Sequence, residues 1–156
     1  MKPSDTTTYQ NTLTQARAHR ALKTKLSYFL RPYNMTMMQW AIVGSLHEAG
    51  NKGTRVSDLA SRLDTSLAFV TTTLNVLEAK GIVRRANHAQ DNRAKIVYLT
   101  DEFVPKVDEI EKEIGTKLKE WLNQSVTDQE FVTYLGVMEK IASIPQFNVN
   151  ANYRAS

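Results

Sequence analysis

The sequence of 156 residues has the length of one ordinary domain, and its hydrophobic content of 42% is typical of a folded chain. It has no cysteine, which excludes disulfide scaffolds, thiolate metal sites and thiol redox chemistry within this chain. No apolar run approaches the roughly 20 residues that span a bilayer, and the polar N-terminus has no signal segment. We therefore expect a cytoplasmic protein with no membrane partner.

The net charge of +4 is distributed unevenly along the chain. Residues 1–100 carry 14 Lys and Arg against 6 Asp and Glu, whereas residues 101–156 carry 6 against 10. Such an asymmetry permits one side of the molecule to attract a polyanion. A mildly basic soluble protein fits the same charges, so charge alone does not decide between the two interpretations.

The first predicted element is a long helix. Apolar residues recur at mostly helical spacing between about Thr8 and Leu30, and Pro32 then disfavours a helical conformation at Arg31. A helix of this length would extend about 34 Å at ~1.5 Å per residue. Because its own small domain cannot cover it, we expect it to contact a partner.

Two shorter helices are predicted next. Thr36 and Gln39 have the spacing of a capping box, in which each side chain satisfies a backbone donor of the first turn. The helix that they begin is expected to end at Gly50, where a turn containing two glycines follows. Apolar residues from Val56 to Leu63 at helical spacing then predict a short helix.

A further helix and a β-hairpin complete the central region. Ser66 is a good N-cap for a helix that reaches about Lys80, and Gly81 suits the position after its end. β-Branched and aromatic runs at residues 82–83 and 96–99 flank a polar loop, which predicts a hairpin. The inward face of the helix is predicted to consist of Val70, Leu74 and Leu77.

The last third of the chain is predicted to be helical. Apolar residues step by threes and fours from Val104 to Trp121. Thr127 and Glu130 then form a second capping box, and Pro145 ends the helix that they begin. Its inward side chains are predicted to be Phe131, Leu135, Met138 and Ile141.

The order and spacing of these elements resemble the MarR (multiple antibiotic resistance regulator) family of winged helix-turn-helix transcription regulators. The most specific part of the resemblance is the wing signature D-x-R-x-x-x-V-x-L-T, met here by Asp91, Arg93, Val97, Leu99 and Thr100.

Two further segments match the family. The Val70-Thr71 pair and the stretch from Leu77 to Arg85 follow its pattern. Thr72 and Asn92 depart from it, because each stands where members often carry Arg. These departures weaken the inference of any particular operator sequence from the family, and they do not affect the expected fold.

The resemblance implies a mostly α fold with a small β-hairpin wing, in which one MarR-like domain covers residues 1–156. Residues 36–100 would form the winged-helix DNA-binding region, and residues 8–31 and 101–144 would supply dimerisation helices. The implied function is that of a ligand-responsive repressor, which binds a pseudo-palindromic operator as a homodimer. The implied partner is double-stranded DNA, and no cofactor or metal is expected.

The predicted DNA contacts combine short side chains of the recognition helix with cations of the hairpin. Short hydroxyl side chains can approach base edges, while Arg and Lys can reach phosphates or a minor groove. The alternative for the helix residues is a solvated surface. The predicted contacts are Ser66, Ala68, Thr71, Thr72, Thr73, Asn75, Arg84, Arg85, Arg93 and Lys95.

The cations of the hairpin are expected to have different roles. By resemblance, Arg93 is the wing-tip residue that enters the minor groove; the alternative is a pair with Asp91 that only shapes the loop. Arg84 and Arg85 alternate along a strand and so face opposite sides. We expect one of them to support the wing and the other to face phosphate.

An effector pocket is expected near the junction of the first two helices, where the family often binds small molecules. Its predicted residues are Tyr28, Tyr33, Met37 and Trp40, and the alternative is that they are simply core. No metal-ligand spacing and no catalytic constellation is apparent, so we do not expect an enzyme. The main rival function is a winged-helix module that binds protein partners in place of DNA.

Overall fold

The computed structural model of the chain describes residues 6–88 and 91–145, with only the backbone described at residues 88 and 91–94. The chain divides into two compact units, residues 1–118 and residues 119–156. No described helix is long and apolar enough to cross a bilayer. In chain order the main elements are α1 (Thr8–Leu30), α2 (Met37–Ala49), β1 (Thr54–Arg55), α3 (Val56–Arg62), α4 (Leu67–Ala79), β2 (Val83–His88), β3 (Asp91–Leu99), α5 (Val104–Leu122) and α6 (Asp128–Ala142).

Helix α1 has the predicted bounds, and little of it is buried. Its N-cap Thr7 and Gln10 form a capping box, and Pro32 lies in the short 3-10 helix that follows its end. Only Phe29 and Leu30, at its C-terminal end, are buried in the single chain. The remaining length is available for other contacts, as its size led us to expect.

Helix α2 begins at the predicted capping box. The Thr36 hydroxyl accepts from the Gln39 amide nitrogen at 3.2 Å, and Gln39 Oε1 accepts from the Thr36 amide nitrogen at 3.1 Å. Lys80 Nζ, beyond the end of α4, also donates to Gln39 Oε1 at 3.3 Å. The α2 cap is thereby connected to the end of α4.

Helices α3 and α4 form the helix-turn-helix around a shared core. Ser66 caps α4 as predicted, since its hydroxyl accepts from the Phe69 amide nitrogen at 3.1 Å. Asp64, in the turn between the helices, has a positive φ of 48°. The side chains at the centre of the core have almost no exposed surface: Ile42, Val43, Leu46, Leu59, Val70, Leu74, Leu77, Val83 and Val97.

The predicted hairpin is part of a three-stranded antiparallel sheet in the order β1-β3-β2. In the hairpin, Val83 pairs with Leu99 and Arg85 pairs with Val97. The additional strand β1 contains two residues and was not predicted, because so short a segment has no periodicity of its own. Its Thr54 pairs with Val97, which places β3 in the centre of the sheet.

Helix α6, in the second unit, is capped as predicted but does not bury its apolar face. Thr127 and Glu130 form the capping box, and Lys119 forms a 2.6 Å ion pair with Asp128. The expectation of an inward face is wrong for the single chain, because Leu135, Met138 and Ile141 are 40–51% exposed. Helical periodicity identifies an apolar face but not the surface that covers it.

We predict that Gly53→Ala destabilises the fold. Gly53 has a positive φ of 62°, and a Cβ there would lie 2.5 Å from both Ile96 Cγ2 and Tyr98 Cε1. The combined backbone strain and overpacking should cost about 2–4 kcal/mol, measurable by chemical denaturation. Gly44→Ala is the control, because Gly44 lies within α2 with nothing within 4 Å of a Cβ. It should stabilise by up to about 1 kcal/mol, and equal effects of the two changes would contradict the packing described here.

Candidate nucleic-acid interface

The exposed face of α4 carries a row of small side chains. Ala68, Thr72, Asn75 and Ala79 follow one another at steps of three and four and are all exposed. They lie opposite the buried face of the helix, so they point away from the core. Because these side chains are short, a groove of a duplex could approach the helix closely along this row.

The hydroxyl residues of α4 separate into three roles. The exposed hydroxyl residues are Thr71, Thr72 and Ser66. The Ser66 hydroxyl has a second role, because it caps the helix. Thr73 is only 8% exposed, and its hydroxyl donates to the Phe69 carbonyl oxygen at 2.8 Å. This burial corrects the prediction of Thr73 as a DNA contact, because its hydroxyl is satisfied inside the helix. A run of three threonines in the sequence does not show which member faces inward.

Three apolar side chains of α4 outside the row of small side chains are also exposed, and they were not among the predicted DNA contacts. Leu67, Phe69 and Val76 are 40–54% exposed. Phe69 and Val76 lie between the row and the buried face, where they suit contact with thymine methyl groups of the major groove. Leu67, in the first turn, lies on the side of Val70 and Leu74. The periodicity that marked Val70 and Leu74 as buried could have identified Val76 as exposed. It would have placed Leu67 on the buried face, three residues before Val70, and the sequence left Phe69 undecided.

Arg85 holds the hairpin to α4. Its guanidinium donates from Nη1 and Nη2 to Asn75 Oδ1, both at 2.8 Å. Nη2 also donates to the Thr71 carbonyl oxygen at 3.3 Å, and Nη1 lies 3.2 Å from Glu78 Oε2. Arg85 therefore crosses a stripe of three α4 residues that lie at helical spacing, and it acts as a support of the wing.

Arg84 faces the other side of the hairpin, as the strand alternation predicted. Its guanidinium lies 4.5 Å from the centre of the Tyr98 ring, a cation–π distance. Both residues line a cavity of about 370 Å³ together with His47 of α2. Arg85 is therefore the one of the pair that supports the wing, and Arg84 lies on the opposite side of the sheet. Contact of either residue with DNA stays a prediction.

Further cations lie on the α4 side of the hairpin. Lys95 is exposed, and its Nζ donates to Asn87 Oδ1. Lys95, Arg55 and Arg85 line a cavity of about 430 Å³ with Leu67 and other residues of α3 and α4. Arg93 lies in β3, but its side chain is outside the described residues, so its contact with DNA stays a prediction.

The residues of the predicted effector pocket make separate contacts in the described structure. The Tyr33 hydroxyl donates to Glu113, and Trp40 Nε1 donates to Glu111 Oε2 at 3.3 Å, so both connect the first helices to α5. Tyr28 is exposed, with Lys25 and Arg31 near its ring, and Met37 is half-buried. None of the four lines either cavity described above. An effector pocket at this junction stays a prediction.

The contact between Tyr33 and Glu113 changes the ionisation of both groups. The hydrogen bond to Glu113 is the main cause that raises the pKa of Tyr33 to about 12, and burial adds to it. The pKa of Glu113 is lowered, first by the hydrogen bond from Lys117 and then by the one from Tyr33. Glu113 is thus held as a carboxylate at neutral pH, in the form that accepts from both donors.

Comparison with known proteins agrees with this geometry. Residues 35–95 match the model described as the MarR family. This region of the chain is similar to the MarR family. The matched residues run from the start of α2 to the hairpin, so they include α4 and both sides of the Arg85 contact.

Solved structures share the winged-helix fold of this chain. A mutant of MarR from E. coli is 22% identical with a TM-score of 0.74, covering 90% of this chain and 100% of that one. MepR from S. aureus is 24% identical with a TM-score of 0.70, covering 89% and 98%. BldR from Sulfolobus solfataricus is 23% identical with a TM-score of 0.72, covering 90% and 99%. The fold likeness thus extends over both terminal regions as well as the matched domain.

We predict that Arg85→Lys lowers stability more than Arg84→Lys does. The planar guanidinium of Arg85 makes several hydrogen bonds to α4 at once, and a lysine ammonium cannot reproduce that fork. The loss should be about 1–3 kcal/mol in chemical denaturation. Arg84→Lys retains a cation near the Tyr98 ring, so its effect should be below about 1 kcal/mol. Equal losses would show that Arg85 does not hold the hairpin to α4.

Proposed function

We propose that this protein is a sequence-specific DNA-binding transcriptional regulator whose helix α4 enters the major groove. The observation that carries the proposal is the outward row Ala68, Thr72 and Asn75, which lies in the region that matches the MarR family. Small and hydroxyl side chains at the start of a recognition helix suit direct contact with base edges. The hairpin is then the wing beside the groove.

Charge favours DNA over a protein partner. Helix α4 itself carries no Lys or Arg, so the cations that attract a duplex must lie on the elements around α4. Lys95 and Arg55 lie on the α4 side of the hairpin, and Arg93 occupies the wing signature. Two structures with a similar fold support this assignment, because the E. coli MarR mutant is complexed with operator DNA and S. aureus MepR is in a DNA complex.

In the contact set that we propose, the residues that recognise bases differ from those that contact the DNA backbone. Ala68, Thr71, Thr72 and Asn75 face the bases, while Ser66 contacts a phosphate near the helix N-terminus. Arg93 and Lys95 supply wing charge, which positions the protein without specifying sequence.

The protein acts as a homodimer with one recognition helix in each half-site. Tyr9 and Leu13 of α1 are exposed, as is an apolar face of α6 that includes Leu135 and Ile141. Exposed apolar surface of this kind is typical of an interface. A symmetric dimer requires a pseudo-palindromic operator with half-sites about 10 bp apart.

The regulator works in the cytoplasm as a repressor that responds to a small molecule. Tyr33 and Trp40 connect the first helices to α5 through Glu113 and Glu111. A ligand among Tyr28, Tyr33, Met37 and Trp40 would alter these contacts and shift the population of DNA-binding dimers. This role of the four residues rests on the family resemblance.

We predict that Thr72→Ala reduces specific binding more than general binding. Thr72 lies in the outward row and carries no charge, so it can read bases but contributes little to non-specific attraction. The loss on the selected duplex should be on the order of 1–3 kcal/mol, measured by fluorescence anisotropy, with random duplex little affected. Thr116→Ala is the control, since Thr116 is an exposed threonine of α5 outside the proposed interface. Equal weakening on both duplexes would show that Thr72 reads no base.

We predict that Leu135→Glu disrupts the dimer. Leu135 is 45% exposed in the single chain, and a carboxylate within a proposed apolar interface would be left unpaired. Sedimentation at micromolar concentration should show a dimer for the wild type and a monomer for the variant. Thr133→Glu places the same charge on the polar side of α6 and should leave the dimer intact. A folded wild-type monomer at this concentration would refute the dimer.

A further inference from the structure

Asn75 lies in the outward row of α4, and its carboxamide is held in one orientation. Arg85 Nη1 and Nη2 each donate to Asn75 Oδ1 at 2.8 Å. A guanidinium can only donate, so the oxygen of the carboxamide must face it and the nitrogen must face away. The orientation therefore follows from the chemistry of the pair.

The acceptor capacity of this carboxamide is already used. A carbonyl oxygen has two lone pairs, and each of the two guanidinium nitrogens occupies one of them. The guanidinium is in turn fixed by Glu78 Oε2 at 3.2 Å and by the Thr71 carbonyl oxygen at 3.3 Å. Among the residues whose side chains are described, none accepts a hydrogen bond from Asn75 Nδ2. The outward group of Asn75 is therefore a donor and nothing else.

This restriction changes which base Asn75 can read. A free Asn recognises adenine by donating to N7 and accepting from N6, and the second contact needs the oxygen that Arg85 occupies. In the major groove, guanine O6 and thymine O4 accept, whereas the amino groups of adenine and cytosine donate. Adenine also presents the acceptor N7 beside its amino group, so an outward NH₂ group can donate to guanine, thymine or adenine, and cytosine alone offers it no acceptor.

We propose that Asn75 is a specificity-determining residue that prefers the keto bases guanine and thymine to cytosine at the contacted position and lacks the two-bond contact by which a free Asn selects adenine. The inference rests on the proposed function, because it requires α4 to lie in a major groove. Arg85 is then a positioning residue: it sets the base preference without contacting the base. Glu78 and the Thr71 carbonyl hold it in that role.

The test is to compare base preferences of wild type, Asn75→Asp and Asn87→Asp. In-vitro selection with the wild type yields a duplex, and every single-base variant of that duplex is then titrated with all three proteins. Asn75→Asp retains acceptors for Arg85 but replaces the outward donor by an acceptor. Asn87→Asp is the matched control, because Asn87 also has its Oδ1 engaged by a cation, Lys95, and lies on the hairpin. It adds the same negative charge without altering α4.

We expect one position in each half-site where the wild type prefers guanine or thymine to cytosine by about 5- to 100-fold. There Asn75→Asp should shift the preference to adenine or cytosine, while Asn87→Asp weakens all duplexes by a similar factor and leaves the ratios unchanged. Thermal denaturation of each variant confirms that the fold is retained before ratios are compared.

Two results would overturn the inference while the proposed function stands. Wild-type binding with base ratios that Asn75→Asp does not alter would show that Asn75 reads no base. A responsive position at which the wild type prefers adenine to guanine would show that the carboxamide oxygen accepts from adenine N6, and therefore that it turns away from Arg85. If the wild type enriches no sequence and binds no duplex in a salt-dependent manner, the proposed function itself fails.

Discussion

The burial of one face of α4 is the constraint on which the rest of the interface depends. Val70, Leu74 and Leu77 have essentially no exposed surface. Exposing a side chain of this kind costs about 1.5–3 kcal/mol, so rotation of α4 about its axis is strongly opposed. The opposite row must therefore point outward, and the small side chains of Ala68 and Thr72 leave the helix backbone close to whatever lies against it.

The hairpin is positioned by the same core. Val83 and Val97 are buried beneath its base, and the register of β2 against β3 places Arg85 beside α4. Arg85 then crosses from the sheet to the helix, so that wing and recognition helix are held as one surface. Arg85, which the sequence predicts as a DNA contact, here connects the hairpin to α4. An exposed cation, Lys95, lies further along the hairpin.

Much of this fold could be predicted from local chemistry, and the errors have a common cause. The bounds of α1 and the caps at Thr36, Ser66 and Thr127 follow from residues close in sequence, where the physics is local. The two-residue strand β1, the inward turn of Thr73 and the uncovered face of α6 depend on distant surfaces.

The candidate site shows the same division. Strand alternation predicted that Arg84 and Arg85 would separate, but not that each would find a protein partner. The outward row of α4 could be read from the spacing of its buried residues, whereas the fixed orientation of Asn75 could not, because ten residues separate it from Arg85.

The central claim is that the outward row of α4 is the surface that meets DNA. Titration of a selected duplex into isotopically labelled protein, followed by amide NMR, tests it most directly. The account predicts the largest shifts at Ala68, Thr72 and Asn75, smaller shifts along the hairpin, and little change at the buried Leu74 and at α2. Shifts concentrated on α2 or α5, with α4 unaffected, would contradict the account.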